Sequence, residues 1–302
     1  MACLFIPFVM LLLFLCVVVL LFAKKFRVAS ALFMLLLVVN LFFHCVAINV
    51  VDVFRQPTAD NIRFLSFNVD LTTPDSSSDV LGIYKQILAV DADVVFLTEM
   101  NVEKCYALDS LLNVEYEYRE DPKNSQCGNV LYSRFPIRDC VSWYKKSSLR
   151  MFALSATIEL DNHNIDICGC HLYSNNKSVG QANKIKDIHG AKAYLKNYRR
   201  MSLERVKEAQ TIVDSLSDVP ALVLGDMNDV PGSPALKTLE RAGLKNAWWK
   251  GGFGYGATLH KPLPYRIDHI YYSDGLKLQR IRRVKSHGLS DHDALVADFV
   301  LE

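Results

Sequence analysis

The chain opens with 21 residues that carry no charge, ACLFIPFVMLLLFLCVVVLLF, residues 2–22. At ~1.5 Å per residue, such a helix spans the ~30 Å hydrocarbon core of a bilayer. Lys24, Lys25 and Arg27 follow, and residues 28–51 form a second apolar run interrupted by Asn40, His44 and Asn49. Two apolar runs joined by a short basic link read as a helical hairpin in a membrane, with spans at about 2–22 and 28–50. A cleaved signal peptide wants a basic segment ahead of a shorter apolar stretch, and nothing basic precedes residue 2. Lys and Arg near span ends prefer the cytoplasm. The link carries three of them, and the stretch after the second run carries only Arg55. A two-span membrane protein is therefore expected, with the link inside and residues 52–302 on the extracytoplasmic side. Asn40 and His44 are read as helix-packing or interfacial groups rather than as a proton or ligand path.

The rest of the chain has another character. Of its 34 Lys+Arg and 32 Asp+Glu, all but those three lie in the last 251 residues. A polytopic transporter is excluded by so polar a majority, and a disordered tail by 51% hydrophobic residues. Residues 52–60 (DVFRQPTAD) read as a linker, and residues 61–302 suffice for one large domain. Residues 52–302 carry 31 positive against 32 negative groups, so bulk charge does not make them a nucleic-acid grip. The charge is nevertheless unevenly placed. Residues 173–207 hold nine Lys/Arg and two acids, and residues 276–287 hold five Lys/Arg and no acid.

Five cysteines lie beyond the apolar runs: Cys105, Cys127, Cys140, Cys168 and Cys170. An odd number excludes full pairing within one chain. Cys168 and Cys170 form CxC rather than a zinc-type CxxC. They are read as small buried residues of one strand face, with one bridge among Cys105, Cys127 and Cys140 left open.

Short apolar runs alternate with helical patterns along the domain. IRFLSFNV (62–69), DVVFLTEM (93–100), VLYSRFPI (130–137), MFALSATIEL (151–160), NIDICGCHL (164–172), ALVLGDMN (221–228), RIDHIYYS (266–273) and ALVADFVL (294–301) read as strands. A helix is predicted after Asp79, and another over 202–216 with Leu203, Val206, Ile212, Val213 and Leu216 inward. Strands mixed with helices give an α/β domain.

What ends these strands is chemically selective. Asn68 ends the first and Glu99 the second, His171 ends NIDICGC, and Asp226 with Asn228 ends ALVLG. Asp268 sits inside RIDHI, while Asp291 and His292 precede the last strand. Open α/β sheets gather ligands at the carboxyl ends of their strands. A convergent set of carboxylates, imidazoles and amides suits a hard, oxygen-seeking Mg²⁺ or Mn²⁺ beside a proton-transferring histidine.

The ordered words S-F-N-V, L-T-E, H-L-Y-S, G-D-M-N, R-I-D-H-I and S-D-H resemble the motif series of the endonuclease/exonuclease/phosphatase superfamily, the deoxyribonuclease I-like fold, in its membrane-anchored bacterial form. The resemblance implies a four-layer sandwich, two packed mixed β-sheets flanked by helices, here preceded by the helical hairpin. It implies that Glu99 and Asp291 hold the metal with Asn68 nearby, and that Asp70 falls where some relatives carry an acidic residue. Asp268 would orient His292, Asp226 would position or deprotonate the attacking water, and His171, Asn228 and Asn68 would bind phosphate oxygens. The implied activity is Mg²⁺-dependent (or Mn²⁺-dependent) hydrolysis of a phosphodiester in a nucleic acid or a lipid head group, with no obligate protein partner. A phosphomonoesterase on a small molecule or inositol phosphate, or an inactive binding module, is the alternative. Asp226-Met-Asn-Asp229 also fits the GDxxD of dimetal phosphoesterases, but their D-x-H and G-N-H-[DE] are missing. The two basic stretches flank site motifs and would meet an anionic substrate if they line one groove. Phe253 and Tyr255 of GGFGYGATL are read as packing residues more than as a base-stacking platform.

Overall fold

A computed structural model describes residues 2–71, 79–100, 106–121, 128–145, 150–160, 163–174, 188–260 and 263–302. The first helix, α1 (Ile6–Phe22), has Pro7 in its first turn, where a missing N–H costs nothing. Helix α2 (Phe26–Phe43) packs back against it as a hairpin. Both are long and apolar enough to cross a membrane. Their large side chains, Leu11, Leu12, Phe14, Val19, Phe33 and Leu41 among them, face outward. Helix α2 stops because Asn40 turns back on the chain. Its carboxamide donates to Val46 O and accepts from Val46 N, both at 2.8 Å, around His44 in the left-handed conformation. Asn40 is thus a helix terminator.

The chain continues through β1 (Ala47–Ile48), α3 (Val50–Val53), β2 (Ile62–Leu71), α4 (Val80–Val90), β3 (Val94–Met100), α5 (Tyr106–Glu115), β4 (Tyr118–Glu120) and β5 (Val130–Ser133). Next come β6 (Ile137–Tyr144), β7 (Met151–Leu160), β8 (His163–His171), α6 (Ile188–Ser215) and β9 (Ala221–Asp226). The last elements are α7 (Pro234–Arg241), β10 (Lys245–Asn246), α8 (Ala247–Gly251), β11 (Phe253–Gly254), β12 (Asp268–Tyr272), β13 (Leu276–Val284) and β14 (Ala294–Leu301). Two six-stranded mixed sheets result, in the orders β13-β14-β2-β3-β5-β4 and β10-β12-β9-β8-β7-β6.

The sheets pack face to face through Phe64, Phe96, Leu154, Ile167, Leu224, Ile270, Leu295 and Phe299. The outer face of the first sheet takes α4 and α5 onto Leu65, Phe67, Val95 and Leu97. The outer face of the second takes α6 and α7 onto Cys168, Cys170, Val223 and Tyr271. Strands covered on both faces are apolar almost throughout, which is why they read as continuous runs. The expected four layers are the observed architecture.

Each sheet holds one parallel pair. Strand β2 runs with β3, pairing Asn68 with Thr98, and β8 runs with β9, pairing His171 with Asp226. Both pairs deliver their carboxyl ends to one end of the sandwich. Strand β12 is antiparallel to β9 with Asp268 opposite Asp226, and β14 is antiparallel to β2, so their amino ends arrive at the same place.

Two local expectations shift. The run 130–137 breaks at Pro136, so Ile137 opens another strand in the other sheet. Helix α6 begins at Ile188, and Leu203, expected inward, is exposed. The buried stripe instead runs through Tyr198, Met201, Arg205, Glu208 and Ile212. A period counted on apolar residues alone passes over its two charged members. Among the cysteines, Cys140, Cys168 and Cys170 are unbonded, whereas Cys105 and Cys127 lie outside the described residues.

Candidate active site

Strand ends bring Asn68, Glu99, His171, Asp226, Asn228, Asp268, Asp291 and His292 to one end of the sandwich. Asp226 is the hub. Its Oδ2 accepts from Asn68 Nδ2 at 3.1 Å and lies 3.7 Å from His171 Nε2 and 3.9 Å from His292 Nε2. Its Oδ1 accepts from Asn228 N at 2.8 Å. Such a placement needs the chain before it to bend sharply. Gly225 supplies the bend at φ +138°, where a Cβ would lie 1.9 Å from the Cys170 carbonyl oxygen. Burial, and then Asp268, push the Asp226 carboxyl up to about 6.

His292 forms the other half of the centre. Its Nδ1 is 2.8 Å from Asp268 Oδ2, and both residues are buried. Burial opposes a charged imidazole, but Asp268, Asp226 and Asp291 outweigh it and push His292 up to about 10. The dyad is held from behind. Thr258 Oγ1 accepts from Ile267 N and Asp268 N at 3.2 and 3.1 Å, and the Thr258 carbonyl accepts from Asp293 N at 2.8 Å. Ser290 Oγ accepts from His292 N at 3.0 Å and donates to Asn68 O at 2.8 Å.

Glu99 lies beside the hub, partly exposed, with Oε1 3.5 Å from His171 Nε2. It has a positive φ of 57°, as do Asp70 at 50° and Asn228 at 49°. Non-glycine residues in this region are strained and collect at functional sites. Burial raises the Glu99 carboxyl, the Asn68 amide opposes this, and Asp291 adds to it. Burial, then Asp291 and Glu99, raise Asp70. Asp291 is exposed, with Oδ1 3.9 Å from His292 Nε2. Glu99, Asp70 and Asp291, three carboxylates gathered at a solvent-facing rim beside an amide, fit a hard divalent cation. Glu99, His171 and Asp226 also offer ligand atoms within 4.8 Å of one another. The carboxamide oxygen of Asn68 accepts from Asp70 N at 3.1 Å, and the Asn228 Nδ2 donates to Leu172 O at 3.1 Å, so both amides also brace the protein. Burial lowers His171, which makes it a neutral ring at pH 7.

The sequence of strand ends and the geometry agree on one lineage, and the family profile decides it: the Endonuclease/Exonuclease/phosphatase family matches residues 65–292. The chain belongs to this family. Its fold is similar to TDP2 of D. rerio humanised by 14 mutations, with a TM-score of 0.62 and 16% identity over 80% of this chain and 100% of that one. The family protein of Beutenbergia cavernae DSM 12333 gives 0.60 and 18% over 80% and 72%. The human Nocturnin catalytic domain with bound sulfate gives 0.57 and 17% over 82% and 97%. No curated protein matches the chain.

Several residues around the site escape a strand-end reading. Arg150 donates to His171 O at 2.9 Å and pairs with Glu208 of α6, whose other oxygen accepts from Tyr173 N at 2.7 Å. Lys145 stands 4.2 Å over the Tyr173 ring. Arg205, fully buried, pairs with Asp229 at 3.0 Å and donates to Tyr173 O at 3.0 Å. For Arg205 and Glu208 the signal was charged residues on the buried stripe of a helix. Asp229 Oδ2 is engaged by Arg205 and Oδ1 by Val230 N, so the last acid of GDxxD serves the scaffold. Of the basic stretches, Arg199 and Arg200 are exposed on α6, and Arg283 pairs with Asp293 at 3.0 Å. Residues 175–187, with Lys184 and Lys186, lie outside the described residues. Tyr255 packs, its hydroxyl accepting from Arg266 N at 3.2 Å, while Phe253 is exposed.

Proposed function

We propose that this family member is a membrane-held, Mg²⁺-dependent hydrolase of phosphodiesters, with the domain on the extracytoplasmic side. The observation that carries the reading is the buried Asp226 carboxylate between His171 and His292. Hydrolysis forms a bond from water oxygen to phosphorus and breaks the ester P–O bond. One of the water protons ends on the leaving alcohol oxygen. A carboxylate poised near pH 6 is suited to take a proton from water. An imidazolium locked by Asp268 is suited to donate to phosphate oxygens, which leaves Asp226 as the base in this reading. Neutral His171 and the Asn228 amide add donors without adding charge. Glu99, Asp291 and Asp70 would hold a divalent cation, with Asn68 beside them, and that cation would offset charge accumulating on the phosphoryl oxygens.

The N-terminal hairpin supports a membrane location, as does the packing of its first residues on the folded domain, which a removed leader would forfeit. Purified full-length protein in detergent should hydrolyse bis-p-nitrophenyl phosphate with Mg²⁺ and not with chelator. Asp226→Asn should cost ~10²–10⁴ in turnover. Undiminished hydrolysis by that variant would sink the assignment.

A further inference from the structure

The hairpin is bolted to the domain at the active-site end. Asn49 donates its side chain to Trp249 O and Gly252 O at 2.9 and 3.1 Å, and β1 pairs with β11, setting Ile48 opposite Phe253. His44 stacks on Trp249 with centroids 4.5 Å apart, and its carbonyl accepts from Arg266 Nη2 at 2.7 Å. Arg266 is fully buried, and it spends its other terminal nitrogen on Tyr255 O at 2.9 Å. The negative end of α2 thus receives the positive charge of a residue two places before Asp268.

The two site loops touch the hairpin as well. Past Asp226 and Asn228, Cys3 donates to Gly232 O at 3.4 Å, and a Cβ on Gly232 would meet Phe43 at 2.4 Å. Ahead of Asp268, the Phe8 ring meets Tyr265 edge-on at 5.8 Å, and Leu259 bridges both Tyr265 and His292. These contacts come from the two ends of the hairpin that share one bilayer face. Helix α2, at 18 residues, reaches about 27 Å, so His44 stands at the edge of the hydrocarbon core. From Arg266 to Asp268 is at most about 7 Å of chain, comparable to the thickness of a head-group layer.

The surface continuous with that edge is apolar and then basic. Val51 and Phe54 are 78% and 77% exposed, and Ile48, Val50 and Phe253 are exposed beside them. Helix α3 lies against β13, which carries Lys277, Arg280 and Arg282. Apolar side chains at a span end, rimmed by cations, match the acyl and anionic head-group levels of a bilayer. A soluble partner would have to displace the lipid that the adjoining helix already requires.

From this mount we infer that the catalytic cleft opens onto the head-group layer of the same bilayer and that its substrate is the phosphate ester of a membrane lipid. The inference rests on the phosphoesterase reading above. Full-length protein is reconstituted in phosphatidylcholine vesicles containing phosphatidylglycerol, phosphatidylinositol 4-phosphate or sphingomyelin. Turnover is compared with bis-p-nitrophenyl phosphate and with single-stranded and duplex oligodeoxynucleotides, all with Mg²⁺. At least one vesicle lipid should be hydrolysed with kcat/KM tenfold or more above the soluble diester. The pair Val51→Asp and Phe54→Asp should lower that ratio at least tenfold. Hydrolysis of the soluble diester or an oligonucleotide with no vesicle lipid turned over would overturn the lipid assignment and leave the phosphoesterase standing. A ratio unmoved by the pair would overturn the role of this face. Hydrolysis of nothing in the panel would defeat both readings.

Discussion

At the residue scale the centre depends on two buried carboxylates with different partners. Asp226 is raised to about 6 by burial and by Asp268, whereas Asp268 is spent on holding His292 cationic up to about 10. A base must be deprotonated and an imidazolium protonated, so activity should rise through pH 6 and fall toward pH 10. In Asp268→Asn the main support of the imidazolium is gone, and the alkaline limb should move down toward neutral pH. A pH–rate series on the two proteins checks this, and an unshifted alkaline limb would detach His292 from it. The loss in rate should be ~10²–10⁴. His292→Ala on top of Asp268→Asn should add little, because the pair acts as a unit. Glu99, partly exposed, and Asp291, exposed, stand at the rim as candidate cation ligands. Glu99→Ala should therefore raise the Mg²⁺ concentration needed for half-maximal activity. Calorimetric Mg²⁺ binding should weaken in parallel, which separates ligation from catalysis.

At the element scale, one sharp strand end and one helix do the positioning. Strand β9 can bring Asp226 beside His171 only because Gly225 has no Cβ to strike the Cys170 carbonyl of the parallel neighbour β8. Gly225→Ala should lose more than ~3 kcal/mol of stability, since both the backbone conformation and the space are denied. Thermal unfolding in detergent would measure it, and a change within ~0.5 kcal/mol would contradict so tight a bend. Helix α6 works from the other side. Its buried Arg205 and Glu208 hold the Tyr173 backbone just after His171, so a helix that reads as a plain basic excursion is part of the cleft wall. Breaking the buried Arg205–Asp229 pair with Arg205→Met should cost ~3–5 kcal/mol, because Asp229 is left charged and unpaired.

For the whole molecule, the seam between hairpin and domain is also where acid should act. His269, one residue past Asp268, is buried, and its Nε2 lies 3.0 Å from Asp229 O. Burial, and then Arg266, push it down to about 4 from an ordinary 6.5. The unfolded chain therefore binds a proton between pH 6.5 and 4 that the folded protein refuses. Its stabilising contribution is fully present above pH 6.5 and falls by about 3 kcal/mol as pH drops to 4. His269→Gln keeps a donor at the Nε2 position and should flatten the acid limb of a Tm–pH curve. An unchanged curve would assign the acid sensitivity elsewhere. The basic link Lys24–Arg27 predicts that a reporter which works only outside the cytoplasm, fused after Glu302, is active.

Much of this protein can be read directly from its residues, and the reason is local. Span length and charge are one-dimensional properties, so two long apolar helices with Lys24, Lys25 and Arg27 between them needed no fold to be seen. The strand ends were legible because apolar runs stop abruptly, and Asn68, Glu99, His171 and Asp226 follow those stops in one ordered series of motifs. Sequence order brought out the family as well. What only the tertiary structure decided are relations between distant segments. Arg150 and Glu208 meet 58 residues apart, and Arg266 reaches His44 across 222. No periodicity encodes such pairings, since they exist only once two sheets and a hairpin have packed. The stretch 52–60 looked like a linker because it is polar and holds a proline. The chain is already fastened to the domain before it, at Asn49 and β1, and hydrogen bonds to a backbone 200 residues away leave no mark on composition.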